Sequence, residues 1–134
     1  METIRFDGVS IPVSDVSRSA DFYRQIGFNV EQTSPRFAFL RMGSSTIGLI
    51  HVGTLDEWPV KLRAGIHIEL STDDLDMLYA TLQERGIVFY QPPQDMPWER
   101  NMAAYDPDGY RVEFAQGNRG ANQTQAPLPS ATTK

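Results

Sequence analysis

The sequence predicts an α+β fold of two β-α-β-β-β modules, each a curved, mostly antiparallel sheet with one helix on its convex face. Three observations predict it. The spacing Gly8-x6-Asp15-x11-Gly27 returns 59 residues later as His67-x6-Asp74-x11-Gly86. Each copy opens on a short alternating strand, Val9–Val13 and then His67–Ser71. Each closes its helix on a glycine followed by an apolar residue, Phe28 or Ile87. One offset shared by three landmarks marks a duplicated supersecondary unit, and neither copy can bury its apolar face alone. The space between the copies is therefore where function is expected.

The elements follow in order. Alternation in the first strand puts Val9, Ile11 and Val13 on one face and Gly8, Ser10 and Pro12 on the other. Asp15 suits a helix N-cap, and Val16, Ala20, Tyr23 and Ile26 form one stripe at helical spacing. Gly27 stands where a left-handed C′ residue is needed. Strands are expected around Phe28–Gln32, Phe37–Met42 and Thr46–Val52, with Gly43-Ser-Ser45 as turn chemistry between the last two. Gly53–Gly65 reads as a connection carrying Trp58 and Pro59.

The second copy repeats the pattern. Its helix is expected from Leu75 to Arg85 with Leu75, Leu78 and Leu82 inward, followed by a strand near Ile87–Tyr90. Gln91 to Pro97 reads as a Pro-rich loop. Arg100–Tyr105 and Tyr110–Gln116 form a hairpin around Asp106-Pro-Asp-Gly109, whose proline and glycine define the turn. From Gly117 the chain has almost no large apolar residue, which predicts a disordered tail over 117–134. Residues 1–116 are expected to be a single domain, with modules at 8–52 and 66–116.

Composition narrows the function classes. A chain of 134 residues with 40% hydrophobic and 22% charged residues is ordinary for one soluble domain. A net charge of −5 argues against nucleic acid or an anionic membrane surface as partner. No apolar run is long enough to span a bilayer, and the N-terminus lacks the apolar core of a signal peptide. The absence of cysteine removes thiolate chemistry and disulfides, and fits a cytoplasmic protein. No Gly-rich phosphate loop or Gly-x-Ser-x-Gly elbow is present, and neither of the two histidines has an evident serine partner.

Val13-Ser-Asp15, Phe22-Tyr23, Gly27-Phe28 and Asp106-Pro-Asp-Gly-Tyr-Arg-Val-Glu-Phe114 together resemble the vicinal oxygen chelate superfamily. Its members include glyoxalase I, bleomycin-resistance proteins and extradiol dioxygenases. The resemblance covers residues 8–116 and is specific for the fold, while the superfamily holds both enzymes and pure binders. In its metal-dependent members, four side chains on the concave face hold a divalent ion, two from each module. Carried over by position, the second-module pair is present as His67 and Glu113. The first-module positions fall at Gly8 and Leu49, which offer no ligand atom. A shift of two residues would bring His51 onto the same face as Leu49. The fallback metal set is then His51, His67 and Glu113 with the fourth corner empty.

Strand parity gathers the other candidates. His67 shares a strand face with Glu69 and Ser71, while Arg111 and Glu113 alternate against Val112 and Phe114, which the helix should cover. An internal Glu–Arg or Glu–His ion pair is compatible with a binding role there. Phe37, Phe39 and Arg41 share a face, as pocket wall and polar anchor or as core packing. Trp58 and Trp98, in loops, suit lids or dimer contacts.

The expected function is a metal-free small-molecule binder of the bleomycin-resistance type, sequestering an aromatic or cationic compound in the concave cleft. That cleft lies within one chain or is shared across a homodimer. The alternative is a metal-dependent enzyme of the glyoxalase or dioxygenase kind, with one divalent ion as cofactor. A third reading is an interaction or regulatory domain. The expected partners are the small molecule and a second copy of the chain, since bare edge strands invite pairing.

Overall fold

The structure, a computed structural model, describes residues 3–56 and 58–117. The expected tail therefore lies, from residue 118, outside the described residues. The chain forms two compact units, Met1–Val60 and Lys61–Lys134.

The first unit contains β1 (Gly8–Val13), α1 (Val16–Ile26), β2 (Asn29–Thr33), β3 (Phe37–Met42) and β4 (Ser45–His51). Its sheet has the order β1-β4-β3-β2, with β1 parallel to β4 and the other pairs antiparallel. A single helical turn, α2 (Val60–Arg63), stands at the junction of the units. The second unit continues with β5 (His67–Thr72), α3 (Leu75–Glu84), β6 (Phe89–Asp95), β7 (Arg100–Tyr105) and β8 (Arg111–Gln116). Its order, β5-β8-β7-β6, repeats the first with the same single parallel pair. The fold is α+β, built from two four-stranded mixed sheets.

Both long helices begin and end by the same chemistry. The Asp15 carboxylate accepts from the Arg18 N–H at 3.0 Å, and Asp74 accepts from Met77 at 3.1 Å. Each satisfies a donor that the first helical turn leaves without an intrahelical partner. At the far ends, Phe28 N–H donates to Tyr23 O and Ile87 N–H to Leu82 O, both at 3.0 Å. This closure sends the chain through a residue of positive φ, which Gly27 (130°) and Gly86 (94°) provide. The next residues, Phe28 and Ile87, turn into the core, each 4% exposed.

Alternation divides each sheet into a helix-covered face and an open face. In the first unit Ile11, Val13, Ala38, Leu40, Ile47 and Leu49 are buried on the α1 side. In the second, Ile68, Val112, Phe114, Met102 and Ala104 are buried on the α3 side. The Phe89 ring links Phe114 to Tyr79 of α3 at centroid distances of 5.8 and 5.1 Å. Of the α3 leucines, Leu75 and Leu82 are fully buried and Leu78 only partly.

The stretch expected as a Pro-rich loop, Gln91–Pro97, is a strand as far as Asp95. Proline lacks the ladder donor, which confines it to edges and bulges. Pro92 and Pro93 meet both conditions, because β6 is an edge strand whose pairing is irregular between Gln91 and Gln94.

The Asp106-Pro-Asp-Gly109 turn is fixed from several sides. Asp106 Oδ1 accepts from the N–H groups of Asp108 and Tyr110 at 2.8 and 3.0 Å, and buried Arg63 Nε donates to Asp108 O at 2.6 Å. Burial, reinforced by the Asp106 carboxylate, pushes the Tyr110 phenol up to about 12 from 10.0. The native state therefore holds this proton more tightly than the unfolded chain. That contribution to stability is complete below pH 10.0 and is lost as pH rises towards about 12. Thermal unfolding across this window is expected to show a falling midpoint, with a late tyrosinate absorbance step. A flat midpoint would contradict it.

Candidate functional site

The open face of the second sheet gathers four of the expected site residues. Register pairs His67 with Arg111 and Glu69 with Glu113, so all four lie opposite the α3 side. Arg111 Nη2 donates to Glu113 Oε2 at 2.8 Å, the side chains being 19% and 13% exposed. Arg111 Nη1 also donates to the Tyr90 hydroxyl, and its Cζ lies 5.6 Å from the Tyr90 ring centre. Burial alone would lower the Arg111 pKa. The bonds to Glu113 and Tyr90 more than offset this and hold it above its ordinary value. Tyr90 in turn stacks on Tyr105, with centroids 4.1 Å apart and planes 8° from parallel.

On the first sheet, Phe37, Phe39 and Arg41 lie on the open face, opposite the buried Ala38 and Leu40. The two phenylalanine rings are 5.6 Å apart and substantially exposed. Arg41 Nε donates to Glu31 Oε2 at 2.8 Å. A recess of about 410 Å³ is bordered by Ser10, Phe37, Phe39, Gly48 and Ile50, with Arg36 and His51 at its strand-end rim. A second recess of about 400 Å³ borders Phe39, Glu31, Arg41 and Thr46.

The first-module metal positions need correcting. The pairing Gly8↔Thr46 repeats His67↔Arg111, and Ser10↔Gly48 repeats Glu69↔Glu113. The counterpart of Glu113 is thus Gly48 rather than Leu49. Leu49 and His51 share the opposite, α1-side parity, with Val13 paired to His51. A shift of two residues preserves parity, so it leaves His51 on the wrong face.

Gly8 has no room for a side chain, and Gly48 would take one only if Ser10 moved aside. Gly8 has φ of 152°, and a Cβ there would overlap the Thr46 carbonyl oxygen and lie 2.8 Å from its carbon. At Gly48 a Cβ would overlap Ser10 Oγ and lie 3.1 Å from Ser10 Cβ. Among the described residues no group of three or more His, Asp or Glu side chains is placed to hold a metal ion. The donor set does not fit the four-ligand arrangement that the resemblance implies.

Trp98 sits at the tip of the β6–β7 hairpin, closed by Met96 N–H to Glu99 O at 2.7 Å, and is 44% exposed. Trp58 is partly buried in the segment after β4, its N–H bonded to Leu55 O at 2.9 Å. Tyr90, Tyr105, Ser10 and Gly48 were missed by reading the sequence. Their signal lay in strand pairing: Tyr105 is registered on Arg111, and Ser10 on Gly48.

The sequence profile of the Glyoxalase/Bleomycin resistance protein/Dioxygenase superfamily matches residues 5–114, and the chain belongs to that superfamily. Similar solved structures include TnmS3, an antibiotic binding protein from Streptomyces sp. CB03234. It is 29% identical with a TM-score of 0.67, covering 88% of this chain and 100% of that one. A bleomycin-binding protein complexed with bleomycin is 23% identical with a TM-score of 0.65, covering 87% and 100%. The bleomycin resistance determinant of transposon Tn5 is 23% identical with a TM-score of 0.67, covering 86% and 99%. No curated protein matches the chain. No helix among the described residues is long and apolar enough to cross a membrane.

Proposed function

We propose that this protein binds a small aromatic or cationic compound without a metal, in the manner of the bleomycin-resistance branch of its superfamily. One observation carries the reading. Each sheet presents on its open face a pair of exposed aromatic rings beside an arginine–glutamate ion pair. These are Phe37 and Phe39 with Arg41–Glu31, and Tyr90 and Tyr105 with Arg111–Glu113. Rings supply stacking area, and the paired charges supply directional hydrogen bonds at low desolvation cost. The net charge of −5 favours approach of a cation. TnmS3 and the bleomycin-binding protein support the reading as ligand-binding neighbours.

Metal independence rests on Gly8 and Gly48, which offer no ligand atom, and a side chain at Gly8 would overlap the backbone of the neighbouring strand. The enzyme alternative keeps one point in its favour, His67 and Glu113 on adjacent strands of one open face. A cytoplasmic homodimer completes the proposal: the sequence has no cysteine, and β1, β2, β5 and β6 are the end strands of their sheets.

Calorimetric titration with bleomycin and with planar aromatic cations is expected to show saturable binding that survives chelator. Elemental analysis is expected to find no stoichiometric divalent ion. About one ion per chain, together with a thermal midpoint lowered by chelator, would establish the enzyme reading instead. Sedimentation showing only a 15.1 kDa species would remove the dimer.

A further inference from the structure

The two sheets share a β-bulge at the same place in the repeat. In β2 the pairing with β3 shifts between Val30 and Gln32, and in β6 the pairing with β7 shifts between Phe89 and Gln91. A bulge breaks the alternation and re-aims a side chain. It puts two successive residues, Glu31 with Gln32 and Tyr90 with Gln91, on the open face. Each bulge residue then meets an equivalent partner across the hairpin. Glu31 meets Arg41, whose neighbour Thr46 pairs with Gly8. Tyr90 meets Tyr105, whose neighbour Arg111 pairs with His67. One scaffold position thus carries an ion pair in the first unit and a stacked ring pair in the second.

We propose that the Tyr90–Tyr105 pair is a binding ledge for a planar conjugated ring bearing a hydrogen-bond acceptor at its rim. The proposal rests on the small-molecule reading above and names the ligand class for the second sheet. Tyr90 and Tyr105 leave 43% and 47% of their surface exposed although their rings are nearly parallel. Arg111 bonds the Tyr90 hydroxyl and is itself anchored by Glu113, so the ledge is held in place before any ligand arrives. Arg111 Nη1 and Nη2 each give one N–H to Tyr90 and Glu113 and keep a second, on a side chain that is 19% exposed. An acceptor on the rim of a stacked ring can take one of these remaining donors.

The test compares coumarin, planar with a rim carbonyl, with octahydrocoumarin, which keeps the skeleton and carbonyl but loses the π system. Wild-type protein is expected to bind coumarin the more tightly and to shift its proton resonances upfield. Tyr90→Leu and Tyr105→Leu keep apolar bulk but remove a ring, and each is expected to weaken coumarin roughly 3–10-fold. Tyr90→Phe keeps the ring but loses the Arg111 bond, and is expected to weaken coumarin less than Tyr90→Leu does. Unchanged thermal midpoints and circular dichroism show the variants folded. Equal binding of the two probes, or leucine variants that bind coumarin as wild type does, would overturn the ledge while leaving the binder reading intact. Binding of bleomycin but not coumarin would do the same. Binding of neither, by folded wild-type protein, would overturn both.

Discussion

Replacing Gly8 by alanine is expected to cost roughly 2–5 kcal/mol of folding stability, combining backbone strain at positive φ with overpacking. The added Cβ overlaps the Thr46 carbonyl oxygen at the start of the only parallel pairing in its sheet. Relief would require β1 and β4 to separate, and Thr46 also anchors the preceding segment through two bonds to Asp7 O, at 3.0 and 2.8 Å. Gly48→Ala collides with a side chain instead, so pairing it with Ser10→Gly is expected to restore most of the loss. Chemical denaturation of the three variants checks this. A Gly8→Ala protein as stable as wild type would mean that the β1–β4 approach is looser than described. The argument for metal independence would weaken with it. Gly8→His is expected to destabilise rather than to create a metal site.

The elements that could be read from the sequence were those set by local chemistry. Asp15 and Asp74 as caps, Gly27 and Gly86 as exits, and the Asp106–Gly109 turn each depend on neighbours within a few residues. The side of β8 that carries Glu113 was also legible, because Val112 and Phe114 flank it with unmistakable core residues. What failed depended on pairing between strands. Counting placed the first-module counterpart of Glu113 at Leu49, but a register error of one residue exchanges the faces of a strand. The run Ile47, Gly48, Leu49 is buried throughout, so burial alone gave no parity signal there. Two prolines hid the far half of β6, whose position at a sheet edge no local signal reveals. The partnership of Tyr90 with Tyr105 needed both the bulge and the β7–β8 register.

The same pairing changes what Glu113→Gln is expected to do. With no buried partner, the substitution would affect a cationic ligand and leave folding alone. The structure supplies a partner in Arg111, and both side chains are largely buried. Glu113→Gln is therefore expected to cost about 1–3 kcal/mol of stability, the scale of a hydrogen bond to a charged group. Arg111→Met removes the cation and the bond to Tyr90 together, leaving a mostly buried carboxylate. Its cost is expected to approach the roughly 3–5 kcal/mol of breaking a buried pair from one side. The double substitution Arg111→Met with Glu113→Leu removes both charges and is expected to recover much of that loss. A cycle of denaturation curves, completed by the single Glu113→Leu, isolates the coupling, expected at about 0.5–3 kcal/mol. Binding separates the second role of the carboxylate. Glu113→Gln is expected to weaken an aromatic cation by roughly 1–3 kcal/mol and a neutral aromatic far less. Equal losses for the two ligands would show that Glu113 acts only by holding Arg111 against Tyr90, and that the cation preference arises elsewhere.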